Sequence, residues 1–402
     1  MAKISKFGED FLLLALRIDK HIKGYVDFYF GPEKLQQIVE SESLTSPNKL
    51  LKDSIALVRQ LGAQGFSKER ERYLKKLLIA IKTSIEILNG NKISIKDQYL
   101  RIYDVDLQPA NEFELDNLKD EIDKAYIGSG SLEERMAKLR VKRRVPEAKV
   151  LTFFKKALNI ARKESNKLFT NLLPEEEHIS IDLVGKTNNE IKWSFYNWYL
   201  GKYHSRIEVN PKYAMYWTSL LSAACHEGYP GHHTEFVLNE KKLYHEQNQF
   251  EHSFLLLHSP KLIICEGIGD LANNVLFSYQ KSAEISLQEL CPFSLKEESL
   301  EELIAQNKIK GKSTLFWYNL AYHALIDNWD VEELTRYAHN FEIFTEESIK
   351  NQLKLLNNPA HSLTAFSYNL GSNLIINKYG EFPSIKNFRY LLVNPILPSD
   401  LA

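Results

Sequence analysis

Apolar residues recur at three- and four-residue spacing along most of the first 170 residues, which is the pattern of helices that bury one face. Clear examples are residues 11–22 and 73–88. Glycine and proline separate such segments, and Ser131 followed by Glu134 has the spacing of a capping box at a helix start. No strand pattern interrupts this region, so we expect a helical N-terminal region over 1–170.

The hydrophobic period changes from helical to two between residues 178 and 210. Alternation over 179–183, 193–200 and 206–209 predicts three strands of a small antiparallel sheet. Helical periodicity returns at Tyr213 and continues almost to the C-terminus. The chain is therefore predicted to be mainly α, with a small antiparallel β-sheet directly before a long helical region.

Composition is that of a packed globular protein: 402 residues, of which 44% are hydrophobic and 26% charged. With 51 Lys+Arg against 52 Asp+Glu, the formal charge is -1, so no overall field attracts nucleic acid or an anionic membrane. A basic run at 138–144 fits a solvated helix end. We predict neither nucleic acid nor a membrane as a partner.

The expected location is the cytoplasm. The apolar run 11–16 is too short for a secretion signal or a membrane span. The chain has three cysteines, an odd number that suits a reducing compartment and excludes a disulfide framework. Cys225 and Cys265 each precede a residue of interest below, and we interpret both as small buried packing residues.

The most informative segment lies just after the predicted sheet. There His226-Glu227 is followed by His232-His233. Neutral imidazoles bind zinc well, and a neighbouring carboxylate can take a proton from water, so this composition is typical of a hydrolytic zinc site. The common HExxH pattern is absent, because Pro230 occupies the position of its second histidine.

A straight helix would not bring these histidines together. His233 would lie on the same face as His226 but about 10 Å further along the axis, and His232 would be rotated by roughly 120°. Pro230 lacks an amide proton, and Gly231 tolerates unusual dihedral angles. We therefore predict a bulge or break in the helix, which could bring His232 back toward His226.

A third ligand is expected on another element, leaving one coordination position open. Glu266 is the best candidate, because it is an acidic residue within a strongly apolar helix start at 262–271. Asp270 follows one turn later and can accept a hydrogen bond from the outer nitrogen of a ligand histidine. An ion pair of Glu266 with Arg206 is a structural alternative, but the fragments taken together favour a metal site.

These residues resemble domain-of-unknown-function family 885, a group of candidate zinc peptidases marked by the pattern HExxPGHH, found here at 226–233. Segment 206–210 is similar to the family's short strand that ends in Asn before the metal helix, and 265–267 to its Glu-Gly segment. Near the N-terminus, 25–32 is similar to a Val-Asp-x-Tyr-Tyr-Gly-Pro stretch of some members. The resemblance covers most of the chain.

The resemblance implies one zinc ion bound by His226, His232 and Glu266. Glu227 would be the general base of a hydrolytic reaction. The ligands would be His226 and His232 rather than His233, because the family's pattern permits other residues at the position of His233. His233 would be a supporting residue close to the ligands.

The family in turn resembles the gluzincins, thermolysin-like and carboxypeptidase Taq-like enzymes, so the implied fold is zincin-like. In those enzymes a supporting acidic residue follows the glutamate ligand, which is the place of Asp270 here. A late family segment ending in Tyr-x-x-Gly matches 368–371, although its preceding Gly-Gln is missing. Tyr368 is therefore a candidate donor to the oxyanion of the transition state, with His361 and His323 as alternatives.

We interpret the chain as a zinc metallopeptidase that hydrolyses short peptides or a small amide substrate. Residues 1–170 would wall a cleft, and 171–402 would carry the zinc site, in one intertwined unit. The strand 206–209 would offer a sheet edge on which an extended peptide pairs through its backbone.

Other interpretations remain open. Two histidines and a carboxylate also bind iron in non-haem oxygenases, although Glu227 would then have no role. A zinc site of this kind could instead hydrolyse a non-peptide amide or ester. The chain could also be a metal-binding protein without catalytic activity.

Overall fold

A computed structural model describes residues 4–185, 193–292, 298–356 and 365–402, with only the backbone of Ser367 and Tyr368. Within these ranges the protein is mainly α, as predicted. The helices are α1 (Lys6–Asp19), α2 (Glu33–Ser41), α3 (Pro47–Gln60), α4 (Lys68–Leu88), α5 (Ile95–Ile102), α6 (Glu112–Ala125), α7 (Leu132–Arg143), α8 (Glu147–Leu168), α9 (Trp217–Glu227), α10 (His232–Leu238), α11 (Pro260–Leu276), α12 (Tyr279–Ile285), α13 (Leu300–Ile309), α14 (Thr314–Tyr322), α15 (Val331–Asn340), α16 (Glu346–Leu356), α17 (Ser367–Tyr379) and α18 (Ile385–Val393). The strands are β1 (Val26–Tyr29), β2 (His178–Leu183), β3 (Phe195–Gly201), β4 (His204–Val209) and β5 (Phe254–Leu256).

The N-terminal helices form as their sequence pattern predicts. The Ser131 capping box at the start of α7 is confirmed: its hydroxyl accepts from the Glu134 amide, and the Glu134 carboxylate accepts from the Ser131 amide. The apolar faces of α1, α3 and α4 pack into one core. That core also includes Phe250 and Leu397, so the ranges 1–170 and 171–402 share buried surface.

A strand that the sequence analysis missed lies in the N-terminal region. β1 pairs antiparallel with β5, and its Val26 lies opposite Leu256. The expectation of no strand in the first 170 residues is therefore wrong. β1 has only four residues, and its partner lies more than 200 residues away, so a long-range contact stabilises it without leaving a local period.

The sheet predicted between residues 178 and 210 is present, but its strand directions are mixed. β3 pairs antiparallel with β4, as predicted, whereas β2 pairs parallel with β4. The order is β2-β4-β3. Consecutive strands reverse direction, so placing β2 beside β4 rather than β3 makes that pair parallel. A period of two predicts strands but does not fix their neighbours.

Helices α8, α9 and α11 form the core beneath the sheet, with buried Trp217, Leu220 and Ile268 among its members. α11 and α17 approach each other closely at Gly267 and Gly371. A Cβ on Gly267 would lie 2.5 Å from the Gly371 backbone, so a side chain there would clash. The Tyr-x-x-Gly segment thus supplies a glycine that lets α17 approach the helix carrying Glu266. No helix among the described residues is both long and apolar enough to cross a bilayer.

Candidate metal centre

The segment that carries His226 and His232 consists of a helix, a break and a second helix, as predicted. α9 ends at Glu227, the Tyr229–Pro230 peptide bond is cis, and α10 begins at His232. A Cβ on Gly231 would lie 2.0 Å from the carbonyl oxygen of His226. Glycine is therefore required there, because the chain passes directly over the end of α9 before α10 starts.

The break brings the three predicted ligands together. His226, His232 and Glu266 each offer one nitrogen or oxygen atom, and all three atoms lie within 4.8 Å of one another. The rings of His226 and His232 meet edge to face, with centroids 4.5 Å apart. Nε2 of His226 lies 3.7 Å from Oε2 of Glu266. Such spacing allows one ion to contact all three groups after small side-chain movements.

Two polar atoms of this trio are buried without a hydrogen-bond partner among the described residues: Oε2 of Glu266 and Nδ1 of His232. Buried polar atoms nearly always have partners, and an orphaned one calls for a ligand or an ion. By contrast, Nδ1 of His226 faces Oδ1 of Asp270 at 3.4 Å. Asp270 can therefore orient the ring so that Nε2 points toward Glu266, as expected of a supporting carboxylate.

The electrostatics of the trio also favour a cation. Burial alone would lower the pKa of His226, but the surrounding carboxylates, above all Asp270, raise it to about 10. Burial raises the pKa of Glu266 to about 8, although the charge of His226 acts in the opposite direction. Burial also raises the pKa of Glu227. Burial and the neighbouring carboxylates thus disfavour the charged forms of Glu227 and Glu266, and a bound cation would compensate their negative charge.

A glycine also holds the His226 ring. A Cβ on Gly269 would lie 2.7–2.9 Å from three atoms of that imidazole. Gly269 therefore lets α11 approach the ring closely enough to place Glu266 and Asp270 on either side of it. The sequence analysis did not single out this glycine, although it stands between the two acidic residues.

His233 is not a supporting residue of the ligands, and that expectation is corrected. Its ring is fully buried, with Nδ1 2.8 Å from the Ser205 hydroxyl and Nε2 2.8 Å from the Glu177 carboxylate. Tyr229 also donates to Glu177, at 2.6 Å, and Arg162 pairs with the same carboxylate. Because both ring nitrogens are engaged, His233 anchors the break to the sheet and does not contact a metal.

A cavity of about 1110 Å³ opens beside the trio. Its wall includes Glu227 and the strand segment 193–197. β3, not β4, is therefore the strand that offers an edge to the cavity, because β4 is paired on both sides. The side chain of Asn197 donates to the carbonyl oxygen of Glu227 at 2.6 Å, which ties this edge to the end of α9.

Asp27, on β1, is a residue of this site that the sequence analysis missed. It lines the cavity and accepts a hydrogen bond from the Tyr196 hydroxyl. Burial raises its pKa to about 6, and its charge in turn raises the pKa of both Glu227 and Glu266. A signal was available, since an aspartate within an apolar run needs a reason to be there.

Of the three candidate donors to the oxyanion, only His323 has a side chain within the described part of the structure. Tyr368 lies at the start of α17, but its side chain is outside the described part of the structure, and so is the whole of His361. His323 does not line the cavity: it stacks on Trp329 at 3.8 Å and meets Asp327 at 2.7 Å. His323 is therefore excluded from this role.

The structure also shows the partners of Arg206 and the surroundings of Cys225 and Cys265. Arg206 interacts with Glu208 at 3.4 Å and Asp182 at 3.9 Å, so it does not compensate Glu266. Cys225 and Cys265 are both buried and free, and burial raises the pKa of each thiol above its usual value. Both are therefore small buried packing residues, as predicted, and Cys265 also donates from its thiol to Glu235 at 3.4 Å.

No protein-family model matches this chain, and no curated protein matches it in sequence. Among solved structures, it is similar to a candidate lipoprotein from Colwellia psychrerythraea, with a TM-score of 0.56 at 12% identity over 89% of this chain and 68% of that chain. A candidate lipoprotein of unknown function from Shewanella oneidensis gives a TM-score of 0.47 at 12% identity, over 87% and 73%. The first likeness shows a shared fold and nothing about activity.

Proposed function

We propose that this protein is a zinc-dependent metallopeptidase that hydrolyses short peptides. The observation that carries the proposal is the convergence of His226, His232 and Glu266 beside a cavity that Glu227 also lines. Two nitrogens and one carboxylate oxygen form a ligand set that hydrolytic zinc sites use. The resemblance to the HExxPGHH family and to the gluzincins supports the same interpretation.

The residues present fit a zinc ion. Oε2 of Glu266, which has no hydrogen-bond partner among the residues that the structure describes, could bind a cation. The charge of the cation would offset the burial and carboxylate repulsion that raise the pKa of Glu266. A zinc ion bound by the trio would supply Lewis acidity, polarising a substrate carbonyl and making water easier to ionise. Asp270 would hold the His226 ring in the orientation that binding requires.

The proposed proton carrier is Glu227. It follows His226 directly at the end of α9, and Asn197 holds its carbonyl oxygen. Burial raises its pKa, which moves it toward the range of an efficient general base. Glu227 would take a proton from the attacking water and deliver one to the leaving amine. The donor to the oxyanion is proposed to be Tyr368.

The substrate class follows from the cavity. A peptide needs both a polar backbone partner and room for side chains, and the outer strand β3 beside a cavity of about 1110 Å³ would offer both. Helix α6 contributes Glu114 and Glu121 to the rim, so the N-terminal region forms part of the wall. We propose a cytoplasmic location, because an odd number of cysteines suits a reducing compartment.

The test uses zinc analysis, a peptide library and Glu227→Gln. The wild type should bind one zinc per chain and cleave peptides, whereas Glu227→Gln should retain zinc and its melting temperature yet lose at least about a hundredfold in turnover. Glu347→Gln, on an exposed face of α16, is the matched control and should change neither.

Each other outcome points to a different protein. If Glu227→Gln loses zinc, Glu227 is a ligand and the Glu266 assignment falls. Full turnover in the variant would refute the mechanism. Hydrolysis of esters or simple amides but of no peptide would indicate the non-peptide hydrolase, and bound zinc without any hydrolysis would indicate a binding protein.

A further inference from the structure

One wall of the cavity carries a cation that no part of the proposed mechanism uses. Lys310 lies at the C-terminal end of α13, lines the cavity, and donates from Nζ to the Ser222 hydroxyl at 2.9 Å. Ser222 stands on α9 four residues before His226, which is one helical turn. The ammonium therefore lies beside the metal helix, a turn away from the first ligand.

The charge of Lys310 is uncompensated. No carboxylate of the described residues forms an ion pair with it, whereas its neighbour Lys312 pairs with Glu381 at 3.1 Å. The side chain is exposed to the cavity but surrounded by protein, and this desolvation lowers its pKa to about 8. A partly desolvated ammonium with only a hydroxyl partner is a good binding site for an anion.

The direction of a bound peptide follows from β3. A peptide that adds antiparallel to β3 runs from Asn197 toward Trp193. Asn197 contacts the carbonyl of Glu227, while the carbonyl of Ser194 accepts from the amide of Asn210, which precedes α9. The C-terminal part of the peptide therefore passes from the candidate ligands toward the middle of α9, where Ser222 accepts a hydrogen bond from Lys310.

We propose that Lys310 binds the C-terminal carboxylate of the peptide, so that the enzyme removes one or two residues from that end. Residues at i and i+4 of a helix have Cβ atoms about 5–6 Å apart, and extended chain spans about 3.3–3.6 Å per residue. One or two residues beyond the cleaved bond are thus enough to reach Lys310. This inference rests on the proposed peptidase function and assigns its specificity.

The first test compares N-acetylated tetrapeptides that have either a free or an amidated C-terminus. Wild type should cleave the free acids at least about tenfold better in kcat/KM, the lower end for a charged hydrogen bond. Lys310→Met should raise KM for the free acids by about ten- to a hundredfold and change kcat little. Lys310→Arg should restore binding, and Lys75→Met, on the exposed face of α4, should have no effect.

A second test separates this inference from the activity on which it rests. Calorimetry measures binding of the same peptides to Glu227→Gln and to Glu227→Gln/Lys310→Met. The free acid should bind the first protein about ten- to a hundredfold better than its amide, and the preference should vanish in the second.

The outcomes are distinguishable. Cleavage by the wild type without preference for the free acid, or equal binding of acid and amide, overturns the role of Lys310 and leaves the peptidase proposal intact. If the wild type cleaves no peptide while the binding preference persists and depends on Lys310, the peptidase proposal fails and the carboxylate site is supported.

Discussion

His232 and His233 are adjacent in the sequence, yet they belong to two chemically different clusters. His233 lies in a cluster where every ring nitrogen has a protein partner, Glu177 on one side and Ser205 on the other. His232 lies in a cluster where its Nδ1 and the Oε2 of Glu266 have no hydrogen-bond partner within the described part of the chain, next to a large cavity. Histidine and glutamate thus form a fully hydrogen-bonded anchor around His233, whereas around His232 they leave polar atoms available to a ligand.

This difference shows what identifies a functional cluster. Histidine and glutamate content does not separate the two, since both clusters contain buried pairs. The two clusters differ in their hydrogen bonding: both ring nitrogens of His233 have protein partners, whereas the cluster of His232 leaves two buried polar atoms without hydrogen-bond partners among the described residues. The break between α9 and α10 produces the difference, because it turns His232 toward His226 while His233 points into the sheet.

The largest expected effect is the loss of zinc in His232→Ala. Removing one of three ligands should reduce zinc from one per chain to near zero in purified protein and abolish turnover. His233→Ala should keep its zinc but lose about 1–3 kcal/mol of unfolding free energy, since Glu177 loses a buried partner. Elemental analysis and denaturant unfolding of the metal-free proteins measure the two effects separately.

The opposite ranking of these two variants would contradict the assignment of His232 as the ligand and His233 as the anchor. Loss of zinc in His233→Ala with retention in His232→Ala would mean that the anchor is the metal ligand and that the geometry around the break has been misassigned.

Local sequence chemistry was sufficient to predict the helix break and to select His226, His232 and Glu266 as candidate ligands. Pro230 and Gly231 exclude a straight helix by their backbone properties alone, and Glu266 is conspicuous in an apolar helix. The mainly α architecture followed in the same way from apolar periodicity. The break and the helices depend on residues within a few turns of one another, where pattern and propensity decide the structure. The approach of Glu266 to the two histidines is instead a contact between α11 and the segment that joins α9 and α10.

The features that escaped the sequence analysis depend on contacts between distant segments. β1 forms only because β5 pairs with it, and this pairing brings Asp27 into the site. Lys310 reaches the cavity because the end of α13 lies beside α9, and the sequence around Lys310 does not indicate this contact. The neighbour order of β2, β3 and β4 is likewise a tertiary property that alternation does not encode.

An intermediate effect is expected when each cluster loses only a supporting carboxylate. Asp270→Asn should weaken zinc affinity or turnover by about ten- to a hundredfold with little change in metal-free stability. Glu177→Gln is the counterpart in the anchor: it should lower the unfolding free energy and leave zinc affinity unchanged, because it touches His233 rather than a ligand. Zinc titration and denaturant unfolding distinguish them, and an unaltered Asp270→Asn enzyme would make Asp270 an ordinary surface residue.

The smallest expected effect is a pH dependence of activity that arises from Lys310. This side chain has one neutral partner, Ser222, and no ion pair with a carboxylate of the described residues. Its pKa is about 8, because burial disfavours the ammonium, so the proton is lost as the pH rises through 8. The attraction for a substrate carboxylate is therefore present below that pH and lost above it. Since kcat/KM reports groups of the free enzyme, its value for N-acetylated free-acid tetrapeptides should fall by about tenfold between pH 8 and 9.5. Lys310→Arg keeps its charge throughout this range, so it should lack this decline, while any decline shared by both proteins belongs to other groups. Identical profiles for the two proteins would show that the ammonium of Lys310 does not bind the carboxylate.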